Sequence, residues 1–273
     1  MLPVFKKSFV RSVSRRFQPV SDLVQTLLFP PRCLKCGTYM DSGTADPSAF
    51  SAYFCKSCLG SGPRPFEPPF CPWCGHVFDQ GENHLCEACL KKNPRFRRIS
   101  RVRASLVYSG VVKEAVPLFK YQSRLSLARP FERVLFRAFE TYFMEPEPDL
   151  VLPVPLHVRR LRQRGFNQAY FLVRHFPDLY FRKFHRNPSW QVDIASLKRV
   201  VHTRPQTGLD EKSRRKNLRN AFQVSPKAQS RIKKARVLLI DDVFTTGSTC
   251  REAARVLFRH GADRVDVLVL ARA

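Results

Sequence analysis

The chain has 273 residues, which is enough for one sizeable core and a smaller module. Its 48 Lys and Arg residues against 22 Asp and Glu give a net charge of +26, which predicts a polyanionic partner or a phosphate-rich ligand; a generally basic composition without a ligand is the alternative. The sequence lacks a run of about 18 apolar residues, which excludes a transmembrane helix, and its basic N-terminus lacks the apolar core of a secretory signal. We therefore expect a cytoplasmic protein.

Four C-x-x-C pairs in the N-terminal third predict zinc sites, because two such pairs supply four thiolates to a tetrahedral Zn²⁺. The pairs are Cys33/Cys36, Cys55/Cys58, Cys71/Cys74 and Cys86/Cys89. Glycine follows the first and third pairs and leucine follows the second and fourth, so a unit of two pairs is repeated. The repeat favours two sequential zinc ribbons with about two zinc ions in all, although an interleaved cross-brace would use the same cysteines.

The other candidate ligands have simpler interpretations. We expect His76 and His84 to be exposed neighbours, because the cysteines already fill both sites. Cys250 is expected to pack inside a helix. A disulfide framework is the alternative for the paired cysteines, but it is disfavoured in a chain without a secretory signal.

A change of pattern separates the cysteine-rich module from a larger domain. We predict a basic extension over residues 1–28, a double zinc ribbon over 29–94 and the larger domain over 95–273, with a polar link at Lys91–Arg98. Beyond the link, strands alternate with helices, which argues for a parallel sheet flanked by helices. The predicted elements are strands at Val102–Tyr108, Leu150–Val154 and Arg264–Leu270, a helix at Ala128–Phe143, and a helix from Val111 in which Pro117 predicts a kink or an early stop.

Four arginines lie within six residues shortly after the strand Leu150–Val154. They are Arg159, Arg160, Arg162 and Arg164, and Gly165 follows them. A loop there would lie at the carboxyl end of the sheet and would face the same crevice as the candidate phosphate-binding loop at residues 245–249. Guanidinium groups suit a pyrophosphate because each donates two hydrogen bonds to one phosphate. A solvated start of a basic helix is the alternative.

A second basic segment, from Thr203 to Phe222, is polar and rich in turn-forming residues. This composition is typical of a mobile loop over an active site. Its candidate residues are Gln206, Arg214 and Asn217.

The most informative segment is Val237–Thr249, with the sequence VLLIDDVFTTGST. Four apolar residues suit a central strand, and they run into Asp241 and Asp242. A loop of Thr245, Thr246, Gly247, Ser248 and Thr249 follows, ahead of a helix at Cys250–His260. Such a loop aims backbone N–H groups at a phosphate, while two carboxylates would accept hydrogen bonds from the vicinal hydroxyls of a ribose. An ordinary turn with a solvated acidic pair is the alternative.

This segment resembles the 5-phosphoribosyl 1-pyrophosphate (PRPP) signature of type I phosphoribosyltransferases. The resemblance implies that Asp241 and Asp242 contact the ribose and that residues Thr245 to Thr249 hold the 5′-phosphate. The arginine segment, with Arg160, Arg162, Arg164 and Gly165, would then contact the pyrophosphate, and Mg²⁺ would accompany PRPP.

Together with the double zinc ribbon, the segments PVPL…RLRQRGFNQ and TRPQTGL…RRKNLRNAF make the chain similar to the ComF/GntX family of phosphoribosyltransferase-like proteins. The resemblance covers the chain from about Phe29 to its C-terminus; Pro117 and the basic N-terminal extension depart from it. It implies an α/β fold of the type I phosphoribosyltransferase class. It also implies a role in natural transformation, the uptake of single-stranded DNA into competent bacteria.

Three functions remain open from the sequence. The favoured one is a PRPP-binding protein that assists uptake or handling of single-stranded DNA, together with proteins of the uptake machinery. The others are a salvage phosphoribosyltransferase for a small base and a non-catalytic zinc-ribbon protein that binds or docks on DNA. The net charge and the ribbons disfavour the salvage enzyme, and the intact acidic pair and loop disfavour a mere scaffold. None of these motifs identifies an acceptor substrate.

For single-stranded DNA we predict binding that depends strongly on salt and weakly on sequence. The expected contacts are Lys56, Lys91, Lys92, Arg95, Arg97 and Arg98, with Trp73 or Phe96 for base stacking. Packing of Trp73 against a zinc knuckle is the alternative.

Overall fold

A computed structural model of the chain describes residues 30–40, 46, 49–60, 62–91, 99–202 and 218–273. The strands are β1 (Val102–Val107), β2 (Leu150–Pro153), β3 (Gln191–Val192), β4 (Leu197–Arg199), β5 (Phe222–Val224), β6 (Arg236–Phe244) and β7 (Arg264–Arg272). Five of them form a parallel sheet in the order β1-β7-β6-β2-β3, while β4 and β5 form a separate antiparallel pair. The predicted parallel sheet is therefore confirmed.

The described helices are α1 (Lys56–Leu59), α2 (Glu87–Leu90), α3 (Gly110–Tyr121), α4 (Ala128–Phe143), α5 (Val158–Arg164), α6 (Gln168–Phe171), α7 (Phe176–Phe184), α8 (Gln229–Ile232) and α9 (Ser248–Arg259). Helix α4 has the bounds predicted for it. The expected early stop at Pro117 is wrong, because α3 continues four residues further, to Tyr121. Val116 and Phe119 are both buried, and their packing offsets the roughly 3 kcal/mol that an internal proline costs. Within the described residues, no helix is both long and apolar enough to cross a bilayer.

Two hydrophobic cores lie on opposite faces of the sheet, because successive side chains of a strand point to opposite sides. On β6, Leu238 and Ile240 pack with α3 and α4 in the first core. Val237 and Leu239 pack with α9 and the β4–β5 pair in the second core. The fold is thus a sheet covered by helices on both faces, which explains why β6 begins as a continuous apolar run.

The strand order creates a crevice between β2 and β6. The chain leaves β2 toward β3 on one side and leaves β6 toward β7 on the other. The connections after these two neighbouring strands therefore diverge at the carboxyl edge of the sheet. Ligands of open parallel sheets bind at such a point, and both sequence motifs follow these two strands.

The N-terminal module is attached to the edge of the sheet through its backbone. In the stretch between the two ribbons, Phe66 N–H donates to Ser105 O at 3.0 Å, and Arg64 O accepts from Val107 N–H at 2.9 Å. The module also contributes Phe50 and Phe54 to the first core. The ribbons and the larger domain consequently share hydrophobic cores across the predicted boundary near residue 94; residues 92–98 lie outside the described part.

Candidate functional site

The acidic pair lies inside β6 rather than after it, because the strand continues to Phe244. Each carboxylate accepts a hydrogen bond from the next backbone N–H. The distances are 2.9 Å from Asp242 N to Asp241 Oδ1 and 2.6 Å from Val243 N to Asp242 Oδ1. These bonds leave the Oδ2 atoms of both residues for other partners.

Lys120, near the end of α3, forms an ion pair with Asp242. Its Nζ lies 2.6 Å from Asp242 Oδ1, and the two side chains are only 18% and 14% exposed. Burial by itself lowers the pKa of Lys120, but the Asp242 carboxylate more than compensates and raises that pKa above its ordinary value. Nothing near Lys120 in the chain marks it as a partner of a residue 122 positions later, so this ion pair could not be predicted from the sequence.

Asp241, like Asp242, is partly buried. Burial, together with the neighbouring Asp242 carboxylate, raises the pKa of Asp241 to about 7. The thiol of Cys250 lies 3.8 Å from Asp241 Oδ2, and burial raises the pKa of that thiol well above its ordinary value. Cys250 is buried in α9, as expected, but it also contacts an acid of the candidate site.

The loop after β6 turns sharply into α9, which begins at Ser248, two residues earlier than predicted. Gly247 makes this turn with φ +70°, and a Cβ atom there would lie 2.1 Å from Cζ of the Phe244 ring. Thr246 Oγ1 and Ser248 Oγ are 2.9 Å apart, and Arg251 donates to Thr246 O. No side chain of the described residues caps the N-terminus of α9, and the positive end of the helix dipole favours a bound anion there.

The arginine segment forms helix α5, so the expectation of a loop there is wrong. His157 caps the helix by accepting from Arg159 N–H at 3.3 Å. Arg160 and Arg164, four residues apart, share a half-buried face, whereas Arg162 is exposed. Gly165 ends the helix at φ +77°, and its N–H donates to Leu161 O at 2.8 Å.

Arg199, at the end of β4, is a third partly enclosed arginine near the crevice, after Arg160 and Arg164, and the sequence did not predict it. Its side chain is only 9% exposed. Burial, with Arg160 nearby, lowers the pKa of Arg199 to about 10, while Asp241 opposes that shift. Arg199 therefore lies within electrostatic reach of both Asp241 and Arg160. Arg199 comes close to these two residues because its backbone forms a parallel β-bridge with that of His157, the residue before α5.

The geometry thus collects most of the predicted residues at one place. Residues Pro153 and Ile240 pair directly between β2 and β6, so the segments that follow them leave the same edge of the sheet. The acidic pair, the Gly247 loop and α5 all lie at this edge. The predicted residues Gln206, Arg214 and Asn217 lie outside the described part of the chain; Phe222, the end of that segment, is buried in β5.

The cysteines form two sequential clusters, and the cross-brace is wrong. The clusters are Cys33/Cys36/Cys55/Cys58 and Cys71/Cys74/Cys86/Cys89, with all sulfurs of a cluster within 4.8 Å of one another. Four sulfurs about 2.3 Å from one tetrahedral zinc ion lie about 3.8 Å apart. The observed separations of 3.7 Å for Cys36/Cys55 and 3.6 Å for Cys74/Cys86 fit that ion. None of these cysteines forms a disulfide.

The two zinc centres repeat the same local structure, which confirms the duplication. In each, the glycine after the first pair has a left-handed conformation, with φ +74° at Gly37 and +65° at Gly75. The third cysteine of each centre then occupies the N-cap position of a one-turn helix, α1 or α2. Neither His76 nor His84 belongs to a cluster.

Trp73, in the second ribbon, connects it to the larger domain. Its indole Nε1–H donates to Ile99 O at 2.6 Å, and its carbonyl accepts from Val102 N–H at 2.8 Å. The ring is half-buried. These contacts favour a packing role for Trp73, although its partners are in the larger domain rather than in a zinc knuckle.

Comparisons with known proteins agree with both parts of the molecule. The model of the double zinc ribbon domain family matches residues 24–90, and that of the phosphoribosyl transferase domain family matches residues 180–273. Competence protein F of Haemophilus influenzae is 34% identical over 75% of this chain and 85% of its own length. DNA utilization protein YhgH of Escherichia coli K12 is 33% identical over 74% and 83%, and competence protein ComFC of Bacillus subtilis is 24% identical over 79% and 80%.

The fold and its two kinds of site define a phosphoribosyltransferase-like protein with a double zinc ribbon. At 34% identity over most of both chains, the similarity to competence protein F identifies the family as well. The chain belongs to the ComF/GntX family.

Proposed function

We propose that the chain binds PRPP in the crevice between β2 and β6 and assists the handling of single-stranded DNA during its uptake. One observation carries the proposal. An acidic pair, an uncapped helix N-terminus and three enclosed or half-enclosed arginines meet at the point where the connections of a parallel sheet diverge. A ligand that carries hydroxyl groups between two phosphate groups would match this arrangement, because the acids suit the hydroxyls while the helix N-terminus and the arginines suit the phosphates.

Each part of PRPP has a partner of suitable chemistry. The ribose hydroxyls would donate to Asp241 and Asp242, and the 5′-phosphate would accept from the loop Thr245–Thr249. The pyrophosphate would accept from Arg160 and Arg164, with Gly165 closing the helix beside it. Arg162 is exposed, so its assignment to the pyrophosphate rests on the sequence alone.

Loss of pyrophosphate from the anomeric carbon places positive charge on the ribose and negative charge on the leaving group. A Mg²⁺ ion bound with PRPP would offset the negative charge on the pyrophosphate. The arginines of α5 would add to that stabilisation, and the acids of β6 would hold the ribose in place. These residues bind and orient the ligand, and none of them has to act as a nucleophile.

The role in DNA handling is supported by the relatives and by charge. Proteins that are about a third identical to this chain carry the names competence protein F and DNA utilization protein. The net charge of +26 suits a polyanion much longer than PRPP. We therefore infer that single-stranded DNA, and proteins that deliver it, are partners of the chain.

The direct test is calorimetric titration of PRPP into the zinc-loaded chain with and without Mg²⁺. We expect binding that Mg²⁺ strengthens and that Asp241→Asn weakens by at least about tenfold, since a charged acceptor is lost. Asp263→Asn is the matched control, because that exposed carboxylate precedes β7 at the opposite edge of the sheet. Absence of PRPP binding, or equal effects of the two substitutions, would remove the assignment.

A further inference from the structure

Exposed hydrophobic side chains concentrate around helix α5. The described residues include ten large hydrophobic side chains that are exposed. Five of the ten lie on α5 or beside residues that touch it: Tyr121, Val158, Leu161, Val200 and Val201. A solvent-facing concentration of this kind marks a binding surface more often than isolated exposed residues do.

Tyr121 provides an aromatic surface at the C-terminal end of α5. Its side chain is 65% exposed, and the Arg164 guanidinium lies 4.8 Å from the centre of its ring. The cation–π contact holds the ring beside the helix and leaves much of it open to solvent. Tyr121 directly follows Lys120, so this surface borders the crevice.

The N-terminal end of α5 carries a second aromatic group. The rings of His157 and His202 lie 5.1 Å apart, and His202 follows the exposed residues Val200 and Val201. All charged side chains of α5 are arginines, and Arg159 and Arg162 face solvent. The surface therefore alternates cationic with aromatic and apolar groups along the length of the helix.

We infer that this surface, the α5 rim, defined as Tyr121, Val158, Arg159, Leu161, Arg162 and His202, binds single-stranded nucleic acid. Bases would stack on the aromatic rings and phosphates would accept from the arginines, which is the chemistry of sequence-tolerant single-strand binding. A folded protein partner would require acidic groups in a matching pattern, whereas every nucleotide offers both a base and a phosphate. The inference rests on the proposed role in DNA handling but not on PRPP binding.

The test measures fluorescence anisotropy of a labelled oligo(dT) of about 20 nucleotides with the zinc-loaded full chain at several salt concentrations. Tyr121→Ala should weaken binding about tenfold, and Tyr121→Phe should keep most of it, because stacking needs the ring and not the hydroxyl. Arg159→Gln removes an exposed cation of the rim, and Arg124→Gln removes an exposed cation three residues after Tyr121; together they should reduce the slope of log K against log salt by about 1.4.

Matched controls lie on α7, where Phe181 is an exposed aromatic and Arg182 an exposed cation. Phe181→Ala and Arg182→Gln should change oligo(dT) binding less than about twofold. If Tyr121→Ala and Phe181→Ala have equal effects, the rim is not the single-strand site and a protein partner becomes the better occupant. If duplex DNA binds as tightly as oligo(dT), the chain attracts phosphates in general and the rim does not recognise single strands.

A parallel PRPP titration separates this inference from the proposed crevice. The Arg124→Gln/Arg159→Gln variant should bind PRPP like the unmodified chain, because both side chains are exposed and neither is among the residues assigned to PRPP. Oligo(dT) binding that depends on Tyr121 in a chain that fails to bind PRPP would support the rim and overturn the crevice assignment. PRPP binding together with oligo(dT) binding that is indifferent to Tyr121 would do the reverse.

Discussion

The two acids of β6 are adjacent in sequence but have different surroundings. Asp242 has a lysine at 2.6 Å, whereas the groups hydrogen-bonded to Asp241 are a backbone N–H and a buried thiol. Its enclosure and its anionic neighbour hold the pKa of Asp241 near 7 in the absence of ligand. Removing both acids together would therefore do more than erase ribose contacts, because the enclosed Lys120 ammonium would lose its counter-charge.

We predict that PRPP affinity rises with pH up to about 7 and then levels off. Hydrogen bonds from ribose hydroxyls favour the ionised carboxylate, so below its pKa Asp241 must release a proton when PRPP binds. One released proton corresponds to about a tenfold change in affinity per pH unit. Calorimetry over roughly pH 5.5–8, a range that brackets this pKa, would measure how PRPP affinity changes with pH.

The phosphates of PRPP also titrate, so Asp241→Asn must be measured in parallel. The variant cannot release this proton, and its pH profile should be flatter by about one proton below pH 7. Identical profiles for the variant and the unmodified chain would show that Asp241 does not release a proton when PRPP binds. The Lys120, Arg199 and Cys250 side chains that face the acids remain in both proteins.

A second residue-level prediction concerns Lys120. Lys120→Met should cost about 2–4 kcal/mol of unfolding free energy, because Asp242 is left mostly enclosed without its cation. Lys113→Met, an exposed position on the same helix, should cost less than about 0.5 kcal/mol. Combining Lys120→Met with Asp242→Asn should restore part of the loss. Urea unfolding of the unmodified chain, Lys120→Met, Asp242→Asn and the double variant measures the coupling, and additive costs would argue against an energetically important ion pair.

The turn between β6 and α9 shows how one element fixes the position of a ligand site. Gly247 is required there for two reasons: its φ is +70°, and the buried Phe244 ring occupies the space that a Cβ atom would need. The ring thus supports the loop from beneath and fixes the direction in which α9 begins. A residue with any side chain would have to displace the ring or unwind the first turn of the helix.

Gly247→Ala should therefore destabilise the chain by about 3 kcal/mol or more and abolish PRPP binding. Gly165→Ala is the control for stability, since Gly165 has φ +77° but no heavy atom within 4 Å of the place that an added methyl group would take. That substitution should cost only the left-handed strain of about 1–2 kcal/mol. Equal losses of stability for both variants would mean that the Phe244 contact does not restrict the loop.

Sequence patterns predicted the elements whose determinants are local. The apolar run of β6, the amphipathic spacing of α4 and the C-x-x-C pairs each carry their own signal, and all three are confirmed. Helix α5 was expected to be a loop because most of its residues are arginines, and the spacing of Val158 and Leu161 is too short a pattern to indicate a helix. Lys120, Arg199 and Tyr121 were missed for a different reason. Their importance comes from strand order, which places distant segments at one edge of the sheet.

At the scale of the whole molecule, the ribbons are part of the same cooperative structure as the larger domain. Phe50 and Phe54 of the first ribbon belong to the core beneath α3 and α4. Phe66 and Phe70, near the second ribbon, belong to the core on the other face of the sheet. Lys35 pairs with Glu114 of α3 at 3.1 Å. These contacts imply that the ribbons and the larger domain unfold together rather than separately.

We predict that losing one zinc centre destabilises the entire chain. Cys71→Ser should reduce the zinc content from about two ions per chain to about one and lower the Tm of the whole protein by about 10 °C, because the second ribbon binds β1 through its backbone. Ala88→Ser, between two ligands of the same centre, adds a serine without removing a thiolate and should leave both values unchanged. Scanning calorimetry with metal analysis measures both. Two separate transitions, with the larger one unmoved by Cys71→Ser, would contradict the shared cores and show that the ribbons and the sheet fold independently.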